Sequence, residues 1–374
     1  MKIVIAPDSF KGSLTAAQAC EAIAAGTALA APKAEIVCVP MADGGEGTVQ
    51  SLIDGLGGEY ISCDVQDPLG RTVAAVYGIT AGGTAVIEMA QASGLTLLSE
   101  DERDPILTST YGTGQLILDA LERGARDFIM GIGGSATNDG GAGMAQALGY
   151  RFYDKYGEDL IRGGGALSGL VRIDASYADP RLRECSFTVA CDVENPLLGP
   201  DGASAVFGPQ KGATPEKVML LESALARFSA CIGQDIAQTS GAGAAGGLGA
   251  GCIAFLSAEL KKGVDIIIKA AGLIDKIRGS SLVITGEGCT DSQTLGGKTV
   301  CGVTCAAKRM DVPVVVISGS LERGAEELLE LGVVRLYSIM ENDMMVEEAM
   351  RNSAVLLKNK AEQAVREFYS FRKG

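Results

Sequence analysis

The chain has 374 residues, 51 of them glycine, and carries 46 acidic against 32 basic side chains, a formal net charge of -14. At about 150 residues per domain, this length predicts two domains or one large one, and 47% hydrophobic with 21% charged residues is a globular composition. Histidine is absent, which excludes a Ser-His-Asp or Cys-His nucleophilic pair and a histidine zinc site, and leaves proton transfer near neutral pH to Asp, Glu, Lys, Tyr or Cys.

Charge and cysteine usage indicate the partners and the compartment. The acidic balance argues against a nucleic-acid partner, because phosphate-backbone binding needs a basic face and no Lys/Arg cluster is longer than Arg372-Lys373. The ten cysteines are scattered without a CxxC pair, as is typical of small buried side chains in a reducing compartment. The first residues lack the order of a signal peptide, and the longest uncharged stretch, 242–256, is too short and glycine-rich to span a bilayer. We therefore expect a cytoplasmic protein without a membrane partner.

Short apolar segments at both ends of the chain predict buried parallel strands. They are residues 2–6, 35–39, 282–285, 312–318 and 333–339. Helix-length amphipathic segments alternate with them, at residues 16–29, 298–309, 322–331 and 346–369. Such alternation is typical of a doubly wound α/β sheet.

The middle of the chain has a different pattern. Extended segments at 60–65, 71–79 and 84–89 are separated by turn residues, which predicts hairpins. The remaining predicted elements of this part are helices at 114–123, 144–148 and 252–261 and strands at 128–132 and 187–192. We therefore expect an α/β protein in which residues 58–262 form a mixed α/β domain inserted into a parallel-sheet domain of residues 1–57 and 263–374.

Polar residues follow the first predicted strand. Asp8, Ser9 and Lys11 lie between this strand and a helix. Ligands of open α/β sheets bind at this place, and the amides at the start of the helix can donate hydrogen bonds to an anion. An equally supported interpretation is that Ser13 or Thr15 caps the helix and Asp8 is solvated.

The second predicted strand is followed by Asp43, Gly44 and Glu46. Two carboxylates at such a turn suit Mg²⁺ or an acid–base role. A helix cap at Asp43 with a capping box to Glu46 is the commoner pattern.

A glycine-rich run at 131–143 follows the strand at 128–132. It contains GxGxxA at 131–136, which loosely meets the dinucleotide fingerprint, but the glycines continue past the expected helix start. A backbone cradle for phosphate, with Gly133, Gly134, Ser135 and Asn138, fits the run better.

Glu287, Asp291, Gln293 and Lys298 gather after the strand at 282–285. Carboxylates for Mg²⁺ or as base, and an ammonium for phosphate charge, are the residue types that phosphoryl transfer requires. Ser292 stands where a P-loop would need glycine, so the segment is not a P-loop.

In the middle domain, Asp192 closes a strand of apolar neighbours, where burial would raise the pKa of its carboxyl and suit it to act as a base. A turn at Asp192 before Asn195-Pro196 is equally well supported. Lys211 lies in a second polar segment, 207–212.

Taken together, these segments resemble the type I glycerate kinase family. The matching segments are APDSFKGS (6–13), ADGGEGT (42–48), DPLGR (67–71), IEMA (87–90), STYGTG (109–114), and residues 131–143, 190–196, 206–212 and 285–298. The resemblance implies a flavodoxin-like domain from both chain ends, an inserted mixed α/β domain, and ATP-dependent phosphorylation of D-glycerate, in bacteria usually at the 2-hydroxyl.

The chain departs from the family pattern after Gly-Glu-Gly. Cys289 stands where arginine is common, and Gly296 and Val300 stand where histidine or another larger residue and proline are frequent. If that arginine binds an anion, Lys298 or Arg71 has to supply the positive charge here.

The predicted catalytic residues are Asp192, Asp291 and Lys11, with Asp192 the first choice as base and Asp291 the second. Asp43 and Glu287 are the predicted Mg²⁺ residues. The predicted substrate- and ATP-binding residues are Asp8, Ser9, Gly44, Arg71, Gly133, Gly134, Ser135, Asn138, Lys211, Gln293 and Lys298. We expect ATP and glycerate to meet between the two domains of a monomer or homodimer. The alternatives are 3-phosphoglycerate as product, a nicotinamide-dependent sugar-acid oxidoreductase, and a non-catalytic sugar-acid sensor.

Overall fold

The computed structural model describes residues 1–43, 47–340 and 344–371, and these fold into two compact units. The first unit comprises Met1–Asp43, Gln50–Gly57 and the described residues from Val264 onwards, and the second comprises residues 47–49 and Gly58–Gly263. Each unit has its own sheet and its own buried apolar core. That residues 1–57 with 263–374, and residues 58–262, are separate domains stays a prediction.

Strands and helices alternate through the described residues. The strands are β1 (Lys2–Ile5), β2 (Glu35–Cys38), β3 (Gly58–Gln66), β4 (Thr72–Thr80), β5 (Thr84–Glu88), β6 (Asp127–Gly131), β7 (Arg151–Tyr153), β8 (Arg172–Asp174), β9 (Ser186–Ala190), β10 (Glu259–Lys261), β11 (Leu282–Thr285), β12 (Cys289–Thr290), β13 (Val314–Ser318), β14 (Ser320–Leu321) and β15 (Val333–Ser338). The α-helices are α1 (Ala16–Ala30), α2 (Thr48–Leu56), α3 (Ala90–Ser93), α4 (Tyr111–Glu122), α5 (Ala142–Ala147), α6 (Ala203–Phe207), α7 (Pro215–Ile232), α8 (Gln234–Ala237), α9 (Ala244–Leu256), α10 (Gly263–Ala270), α11 (Leu273–Ile277), α12 (Thr299–Lys308), α13 (Val346–Arg351) and α14 (Ser353–Phe371).

The first unit is built on a five-stranded parallel sheet of order β15-β13-β11-β1-β2. Numbered along the chain, its strands have the order 2-1-3-4-5 of flavodoxin-like sheets. Every residue of β11 and β13 is buried, as expected for apolar runs in a parallel sheet covered on both faces. The strands predicted from the chain ends are confirmed.

Helix α1 covers one face of this sheet. Thr15 caps it: its hydroxyl accepts from the Gln18 amide and the Gln18 side chain accepts from the Thr15 amide. The predicted cap at Thr15 is therefore confirmed, but the solvated Asp8 that accompanied it in that interpretation is wrong, because Asp8 is half-buried and bonded to Thr299. Gly26 allows α14 to approach, because a Cβ there would lie 2.0 Å from the Lys358 carbonyl oxygen.

Two segments of the first unit that were each predicted as one helix have a different structure. Residues 322–331 contain only a short 3₁₀ helix, Ala325–Leu329, and residues 346–369 form two helices that meet at Asn352.

The second unit contains a six-stranded mixed sheet of order β10-β9-β6-β5-β4-β3. β3, β4 and β5 pair antiparallel, which confirms the hairpin prediction, and β5, β6, β9 and β10 pair in parallel. The predicted helix at 252–261 is wrong at its end: α9 stops at Leu256, Ser257 takes a left-handed conformation (φ 52°), and Glu259–Lys261 forms β10.

The fold class is thus α/β, with a flavodoxin-like parallel sheet from both ends of the chain and a mixed α/β insertion. Among the described residues, the helices are all too short or too polar to cross a membrane.

Candidate active site

In the first unit, acidic residues collect at the carboxyl edge of the sheet. Asp8 follows β1, Asp43 follows β2 and Glu287 follows β11, and these three strands are neighbours. Asp43 acts to raise the pKa of Asp8, and Asp8 acts to raise that of Glu287, so Asp8 interacts electrostatically with both of the other carboxyl groups. The structure therefore brings together three residues that were predicted from separate segments.

Asp8 is a half-buried carboxyl group held on both oxygens. Oδ1 accepts from the Ser9 amide (2.6 Å) and Oδ2 accepts from the Thr299 hydroxyl at the start of α12. Burial raises the pKa of Asp8 to about 6, although the Thr299 hydrogen bond acts in the opposite direction. Asp8 is accordingly a group that changes charge close to neutral pH.

Glu287 is only 9% exposed and accepts hydrogen bonds from the side-chain hydroxyls around it. Its Oε1 accepts from Thr294 (2.7 Å) and Thr290 (3.1 Å). Since the Thr290 hydroxyl donates to Glu287, Ser318 must donate to Thr290 across their 2.7 Å contact. Burial raises the pKa of Glu287 to about 7, while the threonine hydroxyls and the charge of Lys298 lower it.

Asp291 organises the turn after β12. Its Oδ1 accepts from the amides of Gln293 (2.8 Å) and Thr294 (3.2 Å), and the Thr294 hydroxyl accepts from the Asp291 amide, which makes a capping box for the 3₁₀ helix Ser292–Gly296. The side chain of Gln293 is exposed. Asp291 thus has a structural function, whatever its part in catalysis.

The two lysines predicted for this edge differ in exposure. Lys298 occupies the N-cap position of α12, is half-buried and interacts with Glu287. Lys11 is exposed in the turn between β1 and α1. Gly44 lies outside the described residues.

The donor chemistry of this edge fits Mg²⁺, although no group of three or more Cys, Asp or Glu side chains within residues 1–43, 47–340 and 344–371 is arranged to hold a metal ion. Mg²⁺ takes one or two carboxylates and completes its shell with waters and substrate phosphates. Asp43 and Glu287 supply such carboxylates, and both influence or are influenced by Asp8.

In the second unit, the glycine-rich loop follows β6. Gly133 and Gly134 are exposed, Gly134 has φ 73°, and its carbonyl accepts from the Leu95 amide (2.8 Å). Open space surrounds the position of a Cβ at Gly133. The backbone here is accessible, as a cradle for an anion requires.

Lys211 supports this loop from within the unit. It is 1% exposed, and its Nζ donates to Ser135 Oγ and to the Thr137 carbonyl oxygen, both at 2.7 Å. Burial lowers the pKa of Lys211 to about 7, whereas Asp139 raises it. The structure gives Lys211 protein partners, and its direct contact with a substrate anion stays a prediction.

Asn138 is fully buried as well. Its Nδ2 donates to Ser204 Oγ (3.1 Å). The side chain predicted to contact a ligand therefore packs inside the second unit.

Asp139 holds the end of the glycine-rich loop, a function that sequence reasoning missed. It is 1% exposed, and its oxygens accept from the Thr110 amide (2.8 Å), the Thr110 hydroxyl (2.9 Å) and the amides of Gly141 and Gly143 (both 3.1 Å). A Cβ at Gly143 would lie 2.9 Å from Asp139 Oδ2. One indication of this function was present in the sequence: Asp139 and its partner Thr110, in the STYGTG segment, both lie in segments that match the resembled family.

Asp192 lies in different surroundings from those predicted. β9 ends at Ala190, and the Asp192 side chain is exposed, so the expected burial among apolar neighbours is wrong. Its Oδ1 accepts from the amide of Gly263 (3.0 Å), 71 residues away. This contact orients the carboxylate at the carboxyl end of β9.

Arg71, considered as a replacement for the family's arginine, already has acidic partners. Its side chain is 50% exposed and pairs with Asp67 and Glu102, both at 2.5 Å. The charge of Arg71 is therefore paired with a carboxylate of its own turn and with one of the 3₁₀ helix Glu100–Glu102.

Glu88 is a second residue that sequence reasoning did not single out. It ends β5, beside β6, and its Oε1 accepts from the Val49 amide (3.0 Å). Its only sequence signal was the IEMA segment.

We expect Lys211 to make stability depend on pH. Its pKa is lowered from 10.5 to about 7 in the folded chain, so the unfolded chain binds more protons between these two pH values. The free energy of unfolding should therefore rise with pH across this window, by up to about 1.4 kcal/mol per pH unit. Urea unfolding from pH 7 to 10 should show a shallower rise in Lys211→Met than in the wild type. The partly exposed Lys217 serves as control through Lys217→Met; equal slopes in the wild type and Lys211→Met would contradict the assignment.

Known proteins resemble the whole chain. The model of the Glycerate kinase family matches residues 3–369. A glycerate kinase of Halalkalibacterium halodurans is 51% identical over 96% of both chains, and glycerate 2-kinase of Escherichia coli is 48% identical over 94% of both. A crystal structure of a presumed glycerate kinase 2 from Salmonella typhimurium LT2 superposes with a TM-score of 0.92, at 44% identity and full coverage of both chains.

The match includes every segment on which the resemblance was based. Because the family model covers nearly all of the sequence and the relatives match end to end, the chain belongs to the glycerate kinase family.

Proposed function

We propose that this protein is an ATP-dependent glycerate kinase, which transfers the γ-phosphoryl group of ATP to the 2-hydroxyl of D-glycerate and yields ADP and 2-phosphoglycerate. The observation that carries the proposal is the 48% identity, over 94% of both chains, with glycerate 2-kinase of Escherichia coli. The acidic edge of the first unit and the accessible glycine loop of the second supply the groups that phosphoryl transfer needs.

The base for the attacking hydroxyl is proposed to be Asp192. Phosphoryl transfer asks the protein chiefly for positioning and charge neutralisation, with a carboxylate to accept the hydroxyl proton. Asp192 is exposed to a substrate and is oriented by the Gly263 amide. Asp291 is the second choice, since its Oδ1 already caps a turn.

Asp43 and Glu287 would hold Mg²⁺, in part through water. When bound, the ion would offset the charge of the ATP phosphates. Burial raises the pKa of Glu287, and the positive charge of Lys298 acts to lower it, as a bound cation would. Lys11 and Lys298 are proposed to neutralise phosphate or the glycerate carboxylate.

The amides of Gly133, Gly134 and Ser135 are proposed to bind an anionic group of a substrate. Lys211 keeps this loop in place through Ser135 and the Thr137 carbonyl. We further propose that Asp8 and Ser9 line the nucleotide or substrate site, and that the protein acts in the cytoplasm as a monomer or homodimer.

The decisive experiment is a coupled ADP-release assay with Mg-ATP and D-glycerate, followed by ³¹P NMR of the product. We expect glycerate-dependent ADP release and 2-phosphoglycerate. A 3-phosphoglycerate signal would contradict only the proposed acceptor hydroxyl and would leave the kinase activity supported. Binding of NADH without ATP turnover would favour the oxidoreductase, and glycerate binding without ADP release would favour a sensor.

A further inference from the structure

Two thiols of the first unit lie side by side, one on a helix and one on the strand beneath it. Cys20 is buried on α1, and Cys38 is exposed at the end of β2. Each thiol shifts the pKa of the other, and Cys38 Sγ donates to the Cys20 carbonyl oxygen at 3.9 Å. Cys20 Sγ also contacts the carbonyl oxygen of Ile5 (3.6 Å), the residue that pairs with Cys38 in the sheet.

We propose that Cys20 and Cys38 are a dithiol that an oxidant converts reversibly into a disulfide. The proposal does not depend on the kinase function. Only neighbouring sulfurs can be linked without a large backbone movement. Within the described part of the chain, β2 is the edge strand of its sheet and pairs with β1 only, so it can adjust to the sulfur–sulfur distance of a disulfide.

The environment gives the two thiols different functions. The hydrogen bond from Cys20 lowers the pKa of Cys38, although burial and Glu21 oppose this effect. The same bond raises the pKa of Cys20 well above its ordinary value, and burial adds to the rise. The exposed Cys38 is therefore the sulfur that reacts first, and Cys20 is the sulfur that resolves the intermediate.

With hydrogen peroxide as oxidant, the reaction balances in two steps. The Cys38 thiolate attacks one peroxide oxygen, the O–O bond breaks, and the departing hydroxide takes up a proton, which leaves Cys38 as a sulfenic acid and one water. The Cys20 sulfur then attacks Cys38, the S–O bond breaks, and the hydroxide leaves with the Cys20 proton as a second water. Two thiols lose two electrons, and one peroxide becomes two waters.

A disulfide here would tie α1 to β2. The segment after β2 leads to Asp43, and the segment after β1 leads to Asp8, so the bond would fix the base of the acidic edge. Amide hydrogen exchange in α1 and β2 should accordingly slow when the bond forms.

Peptide mapping by mass spectrometry tests the proposal. The reduced protein is exposed to hydrogen peroxide, unreacted thiols are blocked with N-ethylmaleimide, and the digest is searched for a Cys20–Cys38 peptide about 2 Da lighter than its two thiol peptides. Dithiothreitol should restore the separate peptides. Linking should be roughly 10-fold faster in the folded chain than in urea, because the fold holds the two sulfurs together.

Single substitutions provide the controls. Cys38→Ser and Cys20→Ala should each abolish the linked peptide. Cys231→Ser, which removes an exposed thiol bonded to the Val171 carbonyl, should leave it unchanged. The proposal is overturned if Cys38 accumulates as a sulfinic acid while Cys20 still reacts with N-ethylmaleimide, or if oxidation links another pair, such as Cys191 and Cys252.

Discussion

Asp192→Asn is expected to lower kcat with D-glycerate by a factor of about 10² to 10⁴, the usual contribution of a general base. The amide cannot accept the proton of the attacking hydroxyl. It can still present a carbonyl oxygen to the Gly263 amide, so the observed hydrogen bond survives. KM should change little, and the melting temperature should stay near that of the wild type because the side chain is exposed.

A matched control separates chemistry from surface charge. Asp201 is exposed in the loop that follows Asp192, and Asp201→Asn changes the net charge by the same amount. It should leave kcat within about two-fold, since surface substitutions away from a site have small effects. A kcat of Asp192→Asn close to the wild-type value would transfer the assignment of the base to Asp291, and a large fall in its melting temperature would instead assign Asp192 a structural function in its loop.

The sheet of the first unit was predictable because buried parallel strands need apolar residues on both faces. Short runs such as 282–285 and 314–318 therefore stand out from helices and loops. Asp8, Asp43 and Glu287 were predictable for the same reason: each follows such a run, and parallel strands place their carboxyl ends at one edge. The predicted strands alone were therefore enough to predict that these carboxylates lie at one edge of the sheet.

The burial of polar side chains was not predictable, because distant partners decide it. Lys211 is buried by contacts with Ser135 and Thr137, which precede it by 76 and 74 residues. Asp192 is oriented by an amide 71 residues later, so its local apolar neighbours gave the wrong environment. The strand at 259–261 was missed because the Ala-Glu-Leu-Lys sequence of residues 258–261 favours a helix, so local propensity pointed the other way. The break at Asn352 did have a local signal, since Asn352 and Ser353 are cap residues of low helix propensity, but the apolar pattern continues on both sides of it.

The carboxylate of Asp139 raises a question of energetics: whether its charge or its acceptor oxygens stabilise the glycine loop. Burial raises the pKa of Asp139, so the charge itself is unfavourable there, while three backbone amides and one hydroxyl depend on its oxygens. We therefore expect the acceptor oxygens of Asp139, rather than its negative charge, to stabilise the loop. Removing them leaves buried donors unpaired, at about 1–3 kcal/mol for each donor that finds no water.

Asp139→Ala is therefore expected to lower the free energy of unfolding by about 3–5 kcal/mol. Asp139→Asn should lose less, because one oxygen remains to accept from Thr110 and Gly143 and the unfavourable charge is gone. Urea unfolding followed by far-UV circular dichroism measures both losses, with Asp201→Ala as an exposed control. If Asp139→Asn is as destabilised as Asp139→Ala, the negative charge, paired electrostatically with Lys211, is the stabilising element instead.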